Sequence, residues 1–481
     1  MVRTILRILG AACSAVLLYF SYDSQSEVIF ALTAILVLIA VTDNANSILQ
    51  CSLVCIFYCM FICAQWLFIV SDVVNGDSTS AMLLLPFTVF LIHTVPVCLC
   101  IILFKRSRIE SMLIGMLLAE FLFVQFNLGN QCFQMGTILA ATPSFIKFFR
   151  VTGIWGGSFL IVFTGYSFYR IIHNKKWWIP MACVYGAIIC MNIFLQQSNE
   201  HARKRKDVGI VSLGMENERV ERANMMISDS IATSCDYILW PESVVVKKES
   251  AYVYDPLITR CMRLVSHFGT VSFFGLNTIV DNSPTNSVIV VRETGISRRF
   301  KEHLIPFSEY IPYKAILGRI PVVRNNILYP LKDGDTSYHM SDNENICPLI
   351  CYESISTEYL YEQVKKGAEL FFVSSSNEYI DDRHIEEVTK RILQANAVIF
   401  NREIVRAVTN GLSLHIDNNG NANEQPYNHT SVKIVSAGFM NDYTFYTEHK
   451  TIIETIYFIS LLLLLFIRTD RERSGILLPE S

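Results

Sequence analysis

The sequence predicts an α-helical membrane bundle into which an α/β domain is inserted. Hydrophobic residues make up 52% of the 481 residues, charged residues only 17%, and the mean hydropathy is +0.36. Only 18 of the 83 Lys, Arg, Asp and Glu residues lie within the first 200 positions. Beyond position 200, short β-rich runs alternate with helical patterns, which is typical of α/β domains. This composition and the net charge of −3 exclude a disordered chain, a purely soluble enzyme and a nucleic-acid-binding protein with a basic field.

Eight apolar stretches are predicted to cross a bilayer, which takes about 20 helical residues. Glu120 interrupts the fifth stretch, and Glu454 lies near the start of the last one. We therefore predict a membrane domain with seven spans at 1–200, an α/β domain at 201–448, and a last span with a short cytoplasmic tail at 449–481. The predicted spans are 4–20, 28–41, 48–70, 81–104, 111–126, 151–169, 178–197 and 452–467.

Basic residues in the short loops predict the orientation of the bundle, because cytoplasmic loops carry an excess of Lys and Arg. With a cytoplasmic N-terminus, the inner side receives the basic residues at 3–7, 105–108, 170–176 and 468–473. The outer loops before position 200 receive only Lys147 and Arg150. The basic run at 201–206 disagrees, but it precedes a large domain, where the rule is weaker. We therefore expect the α/β domain outside the cytoplasm.

The 14 cysteines divide into ten before position 200 and four after it. The four at positions 51, 55, 59 and 63 share one helical face, which fits either a metal ladder or a stripe of small packing residues. The packing stripe is favoured, because small residues commonly mediate helix packing in lipid. No disulfide framework or metal site is predicted in the α/β region.

The α/β region contains seven predicted strands and four predicted helices. Two of the strands, 237–240 and 370–373, are continuously apolar, as expected of strands that are covered on both faces. The predicted helices are 216–233, 256–267, 355–366 and 383–400. The predicted strands are 207–213, 236–240, 270–275, 287–292, 345–350, 369–374 and 405–409.

Reactive side chains lie where these strands end. Glu242 follows Ile-Leu-Trp-Pro, Cys351 ends the strand Cys-Pro-Leu-Ile-Cys, and Lys301 lies between them on a polar segment. Reactive groups in open α/β sheets collect beyond the carboxyl ends of strands, so a carboxylate, an amine and a thiol here form a candidate nucleophilic site. Alone, Glu242 or Lys301 is more typical of a solvated surface residue, and Cys351 of a small buried hydrophobic residue. Their occurrence together favours the site.

Three motifs resemble the Glu, Lys and Cys motifs of the carbon–nitrogen hydrolase (nitrilase) superfamily. They are Trp-Pro-Glu at 240–242, Lys-Glu-His-Leu-Ile-Pro-Phe-Ser-Glu-Tyr-Ile-Pro at 301–312 and Ile-Cys-Tyr-Glu at 350–353. More narrowly, they are similar to the apolipoprotein N-acyltransferase family, which also inserts its αββα sandwich between a seventh and an eighth span. The segment at 152–161 and the intramembrane Glu120 resemble family segments as well.

The resemblance implies an enzyme of the bacterial inner membrane with its catalytic domain on the periplasmic side. It would transfer an acyl chain from a phospholipid, through a Cys thioester, to the N-terminal amine of a diacylglyceryl-modified apolipoprotein. Glu242 would be the base, Lys301 the oxyanion stabiliser and Cys351 the nucleophile in this ping-pong reaction. The implied partners are the phospholipid donor, the apolipoprotein acceptor and membrane lipids, with no cofactor, metal or nucleic acid.

Four further residues are implied to support the triad. Glu309, Tyr352 and Glu353 are expected to orient Lys301 and shape the mouth of the pocket. Trp240 is either a wall of that pocket or a buried structural aromatic residue. The segments at 374–381 and 396–399 depart from the family pattern, which bears on the pocket lid and on substrate preference.

Two other functions remain open on the sequence. One is a membrane-anchored amidase or nitrilase-type hydrolase, in which water resolves the thioester. The other is a non-catalytic lipid-binding protein on the same fold. Acyl chains must reach Cys351 without crossing water, so we expect the apolar loops 310–320 and 327–331 to lie at the bilayer surface.

Overall fold

The structure is a computed structural model of the 481-residue chain. It contains a helical region, formed by the N-terminal part and the last helix, and a two-sheet domain between them. The described residues are 2–21, 27–45, 47–73, 90, 93–103, 108–125, 134–143, 145–197, 202–216, 218–227, 229–248, 255–280, 283–306, 309–311, 313–319, 321, 338–340, 344–378 and 383–466.

A helix occurs at each of the eight positions where a span is predicted. Within the described residues, only the helices Val2–Phe20, Phe149–His173, Trp178–Gln197 and Phe445–Phe466 are long and apolar enough to cross a membrane. The helix Arg108–Gln125 carries Arg108, Glu110 and Glu120, which lower its hydropathy. The predicted residues 81–89 and the basic residues at 105–107 and 468–473 lie outside the described part. The helices are α1 (Val2–Phe20), α2 (Glu27–Asp43), α3 (Ile48–Val73), α4 (His93–Leu103), α5 (Arg108–Gln125), α6 (Phe149–His173), α7 (Trp178–Gln197) and α14 (Phe445–Phe466).

The domain between α7 and α14 contains two β-sheets. The first has the order β12-β1-β2-β4-β5-β6, with β3 also paired to β4, and the second has the order β11-β10-β9-β8-β7. The strands are β1 (Lys204–Ser212), β2 (Tyr237–Leu239), β3 (Val245–Lys248), β4 (Val271–Val280), β5 (Ser283–Arg292), β6 (Gly295–Phe300), β7 (Ile346–Ile350), β8 (Leu370–Ser376), β9 (Glu403–Thr409), β10 (Leu414–Ile416), β11 (Ala422–Glu424) and β12 (Ser431–Phe439).

The helices of this domain cover the outer faces of the two sheets. A single helix is predicted at 216–233, and this prediction is wrong, because the chain forms two shorter helices there. The predicted helix at 355–366 begins only at Thr357, because a 3₁₀ turn occupies Cys351–Ile355. The helices are α8 (Arg219–Met226), α9 (Asp229–Thr233), α10 (Pro256–Phe268), α11 (Lys314–Leu317), α12 (Thr357–Lys365) and α13 (Arg383–Phe400).

The central core lies between the two sheets. Residues of β2 and of the first part of β8 are buried on both sheet faces, which confirms the prediction from their apolar sequences. Helices α8 and α10 pack on the outer face of the first sheet, and α12 and α13 pack on the outer face of the second. The domain is therefore an αββα sandwich. The core side chains between the sheets include Val208, Ile210, Leu239, Phe273, Val288, Ile346, Ile350, Leu370, Phe372, Val405 and Ala407.

Polar contacts join the helical region to this sandwich. Arg150, at the start of α6, is buried and donates to the carbonyl oxygen of Asn418 at 3.1 Å. Lys450 in α14 pairs with Glu358 of α12 at 2.6 Å and with Glu454 at 2.8 Å. Because α13 also packs against α6, the face of the sandwich that carries α12 and α13 rests on the helical bundle.

Candidate active site

Cys351 lies immediately after β7 in a strained backbone conformation. Its φ is +46°, in the left-handed region that a non-glycine residue seldom adopts. The chain then turns into the 3₁₀ segment Cys351–Ile355, and the hydroxyl of Ser354 donates to the carbonyl oxygen of Cys351 at 2.7 Å. The side chain of Cys351 is partly exposed. Such strain is common at functional sites, where the surrounding structure holds it in place.

Glu242 lies beyond the end of β2 and is 8% exposed. Its Oε1 accepts from Nδ2 of Asn286 at 2.5 Å, and its Oε2 accepts from the backbone N–H of Ser376 at 3.0 Å. Its own backbone N–H donates to the carbonyl oxygen of Ser375 at 3.3 Å. Contacts to both sheets therefore fix the Glu242 carboxylate.

Gly275 of β4 allows the Glu242 backbone to approach the first sheet closely. A Cβ atom at position 275 would lie 2.5 Å from Cα of Glu242 and 2.8 Å from the backbone nitrogen of Ser243. Since real Cβ atoms do not come so close, any other residue here would displace the Glu242 turn.

Lys301 follows β6 directly and is 3% exposed. Its Nζ donates to Oε1 of Glu309 at 2.7 Å, and its backbone N–H donates to the carbonyl oxygen of Asn286 at 2.9 Å. Oε2 of Glu309 accepts from the backbone N–H of Ile305 at 2.8 Å. Glu309 therefore holds the lysine ammonium, and Asn286 contacts both the Lys301 backbone and the Glu242 carboxylate.

Glu353 is fully buried and joins the Lys301 segment to the Cys351 turn. Its Oε1 accepts from the backbone N–H groups of Glu302 at 2.7 Å and His303 at 3.1 Å. Its Oε2 accepts from the backbone N–H of Ile350 at 2.8 Å and from Nη1 of Arg299 at 3.0 Å. Arg299 Nη1 also donates to the carbonyl oxygen of Pro348 at 2.7 Å. One carboxylate thus fixes the segments on both sides of the site.

The two predicted aromatic residues occupy different surroundings. The ring of Tyr352 stacks on the imidazole of His303, with centroids 5.4 Å apart and an interplanar angle of 2°. Trp240 is 1% exposed and lies in the apolar cluster between the first sheet and helices α8 and α10. This position fits the structural interpretation of Trp240 rather than the pocket wall.

Burial and neighbouring charges set the protonation of the three reactive groups. Burial raises the pKa of Glu242, although the Lys301 ammonium opposes the shift. Burial alone would lower the pKa of Lys301, but the Glu309 and Glu242 carboxylates outweigh it and raise that pKa. Burial and the charge of Glu242 raise the pKa of Cys351 to about 11, against the opposing effect of Lys301. The resting site therefore holds a protonated thiol beside a cationic lysine and a carboxyl group whose raised pKa favours proton uptake.

Two polar residues of the site, Asn286 in β5 and Arg299 in β6, escaped the sequence analysis. Arg406, which fits the family pattern, lies in β9, every residue of which is buried. Arg406 forms two bonds to Glu386 of α13, Nη1 to Oε2 at 2.8 Å and Nη2 to Oε1 at 3.1 Å. In the sequence, the signal for this ion pair is an arginine within an apolar strand, because a buried arginine needs a partner of opposite charge.

The two segments that depart from the family pattern lie next to the site. Asn377 donates from its backbone N–H to the carbonyl oxygen of Thr409 at 2.9 Å, and Glu378 pairs with Arg219. Tyr379 lies outside the described residues. Oδ1 of Asn396 accepts from the hydroxyl of Thr357 at 2.8 Å, so the second segment supports the chain just after the Cys351 turn.

The described residues contain no group of three or more His, Cys, Asp and Glu side chains that could hold a metal ion. Glu242, Lys301 and Cys351 interact electrostatically and offer a proton acceptor, a cation and a thiol at one site. These are the groups required for nucleophilic acyl transfer through a thioester.

Comparison with known proteins shows what this domain is similar to. Residues 212–431 match the family described as carbon-nitrogen hydrolase, which agrees with the resemblance of the three motifs. A solved structure of Saccharomyces cerevisiae Nit3, a member of branch 10 of the nitrilase superfamily, aligns with 52% of this chain and 95% of its own, at 14% identity and a TM-score of 0.34.

More particularly, the chain is similar to proteins named apolipoprotein N-acyltransferase, which confirms the narrower resemblance. The protein of Shewanella oneidensis is 25% identical over 50% of this chain and 49% of its own length. The protein of Rickettsia prowazekii is 21% identical over 60% of this chain and 61% of its own. The chain thus spans about half the length of the first of these relatives.

Proposed function

We propose that this protein is an apolipoprotein N-acyltransferase that uses Cys351 as its nucleophile. The observation that carries the proposal is the meeting of Glu242, Lys301 and Cys351 at the ends of three strands in a domain that rests on an apolar helical bundle. The name shared by the relatives supports the substrate class, which is a phospholipid acyl donor and a lipoprotein acceptor.

In the first half-reaction, Glu242 takes the proton of the Cys351 thiol, and the thiolate attacks the ester carbonyl of a phospholipid. The positive charge of Lys301 stabilises the oxyanion of the tetrahedral intermediate. The neighbouring carboxylates of Glu309 and Glu242 keep the lysine amine protonated. Collapse of the intermediate breaks the ester bond, and the leaving lysophospholipid takes the proton from Glu242. The acyl chain remains on Cys351 as a thioester.

In the second half-reaction, the N-terminal amine of the diacylglyceryl-modified cysteine attacks this thioester. An α-amine has a pKa of about 8, so a useful fraction is neutral and nucleophilic near neutral pH. Glu242 takes a proton from the attacking nitrogen, and the Cys351 thiolate leaves and recovers that proton. The products are an amide and the free enzyme, which makes the mechanism ping-pong.

The supporting residues hold this geometry. Glu309 fixes the ammonium of Lys301, and Glu353 fixes the backbone on both sides of the site. Tyr352, stacked on His303, lies beside the nucleophile and shapes the mouth of the pocket. Residues 310–311 and 313–319, which include helix α11, are the described part of the loop that we place at the bilayer surface, and Tyr313 in it is 52% exposed.

We further propose eight membrane spans with the catalytic domain on the periplasmic side of a bacterial inner membrane. The domain limits are those of the sequence analysis, 1–200, 201–448 and 449–481. A helix at each predicted span and the distribution of basic residues in the loops support this arrangement.

Mass spectrometry of a lipoprotein N-terminus tests the function. Cells depleted of this protein should accumulate lipoproteins with a free α-amine, and the wild-type chain should restore N-acylation. Cys351→Ala, expressed at the same level, should not. Unchanged N-acylation in depleted cells would refute the acyltransferase, and release of free fatty acid without N-acylation would indicate the hydrolase.

A further inference from the structure

Three consecutive serines, at 374–376, end β8 beside the nucleophile, and each makes different contacts. The hydroxyl of Ser374 donates to the carbonyl oxygen of Trp240 at 2.9 Å, and the backbone N–H of Ser376 donates to Glu242. In the parallel pair of β7 and β8, Ile350 lies opposite Ser374. The next residue along the chain is Cys351, just after the end of β7, in one case and Ser375, within β8, in the other. Ser375 is 1% exposed, and its side chain is one of the groups that lower the pKa of Cys351, as expected of a neighbour of the thiol.

Arg406 determines which way the Ser375 hydroxyl points. Arg406 lies opposite Val373 in the parallel pair of β8 and β9, so its side chain emerges on the same sheet face as that of Ser375. Its Nη2 is 3.4 Å from Oγ of Ser375, and two bonds to Glu386 hold the guanidinium in place. A guanidinium can only donate, so Oγ accepts this contact and its own proton is free to point elsewhere. Cys351 follows Ile350, the residue opposite Ser374, and its thiol sulfur can accept a hydrogen bond.

We propose that Ser375 is a further catalytic residue, whose hydroxyl donates a hydrogen bond to the sulfur of Cys351 and stabilises its thiolate. Arg406 is the positioning residue that orients the hydroxyl, and Glu386 fixes Arg406. The inference rests on the proposed function in one respect, that Cys351 is the nucleophile. The hydrogen bond acts in both half-reactions, because the thiolate is the attacking group in the first and the leaving group in the second.

The charged groups around Cys351 show why a neutral donor matters here. Burial and Glu242 raise the pKa of Cys351, while Lys301, Ser375 and Arg406 lower it. Lys301 is already engaged by Glu309, and the charge of Arg406 is balanced by Glu386. The hydroxyl of Ser375 is neutral, so no counter-ion offsets its effect on the sulfur.

The test is the rate of iodoacetamide alkylation of Cys351 in the purified full-length protein, followed by mass spectrometry of the Cys351 peptide. A hydrogen bond to a charged group is lost in Ser375→Ala, which should raise the thiol pKa by about one to two units and lower the thiolate fraction about 10- to 100-fold. The more basic thiolate is also the better nucleophile, so the alkylation rate below the pKa should fall only about three- to tenfold.

Two variants separate this role from a general disturbance of the site. Ser375→Thr keeps the hydroxyl and should alkylate at nearly the wild-type rate. Ser374→Ala removes the neighbouring hydroxyl, which contacts Trp240 and not the thiol, and should also leave the rate unchanged. Wild-type alkylation in Ser375→Ala, or an equal loss in Ser375→Thr and Ser375→Ala, would overturn the proposal. The assay needs neither phospholipid nor apolipoprotein, so its outcome is independent of the N-acylation experiment.

Discussion

Replacement of Glu353 by Gln should destabilise the domain more than any surface substitution of the same kind. The Glu353 carboxylate accepts four hydrogen bonds, two at each oxygen, from three backbone N–H groups and Arg299. Glutamine has one acceptor oxygen, and its NH₂ group must replace the other. That NH₂ group would face two donors, and the buried Arg299 would lose its charged partner.

The expected loss follows from these contacts. Removal of one partner of a buried ion pair costs about 3–5 kcal/mol, and the unpaired backbone donor adds to the upper end of that range. For a domain of about 150–250 residues, each kcal/mol lowers the melting temperature by about 2–4 °C. Glu353→Gln should therefore melt about 6–20 °C below the wild-type protein.

The assay is thermal unfolding of the detergent-solubilised protein, with Glu302→Gln as the matched control. The Glu302 side chain lies 3.6 Å from Arg299 but is 45% exposed, so its ion pair should contribute about 1 kcal/mol or less. Burial alone would raise the pKa of Glu353, but Arg299 and backbone N–H groups outweigh it and lower that pKa. The stabilising contribution of Glu353 is therefore complete above the unfolded pKa, about 4.3, and is lost as pH falls through the folded pKa. The difference between wild type and Glu353→Gln should therefore narrow in acid. Equal melting temperatures for Glu353→Gln and Glu302→Gln at neutral pH would refute the reasoning.

Three other substitutions test individual parts of the site. Glu242→Gln removes a charge that raises the pKa of Cys351, so alkylation of Cys351 should become faster while N-acylation falls about 10²–10⁴-fold; N-acylation at the wild-type rate would contradict the role of Glu242 as base, and slower alkylation would contradict its effect on the thiol pKa. Lys301→Met removes the oxyanion-stabilising charge and should lower turnover about 10²–10³-fold in an assay with phospholipid and a diacylglyceryl peptide, and retention of turnover would exclude Lys301 from that role. Gly275→Ala should destabilise the domain by about 1–3 kcal/mol in thermal unfolding, because its Cβ would overlap the Glu242 backbone, and an unchanged melting temperature would show that the turn can move.

The sequence predicts the parts of this fold that depend on local patterns. Continuously apolar runs locate β2 and β8, and the points where such runs stop locate Glu242 and Cys351. These features can be predicted because burial on both sheet faces and the end of a strand each determine the residue types within a short stretch of the sequence.

The parts that the sequence does not predict depend on contacts between distant segments. The segment 295–300 contains two arginines and looks like a polar loop, yet it forms β6 with Arg299 buried. Its charge is compensated by Glu353, 54 residues further along the chain, and no periodicity reveals that pairing. Asn286 escapes prediction for the same reason, because its partner Glu242 comes from another element. The pairing of Arg406 with Glu386 is likewise a contact between distant segments.

The central claim is that Cys351 carries the acyl chain between phospholipid and lipoprotein. The most direct measurement is the mass of the Cys351 peptide after the purified protein is incubated with a phospholipid bearing a labelled acyl chain and no acceptor. The account predicts one labelled acyl group on Cys351 with release of lysophospholipid, and transfer of the label to the α-amine when a diacylglyceryl-cysteine peptide is added. Absence of the Cys351 adduct, or release of the label only as free fatty acid after the peptide is added, would contradict it.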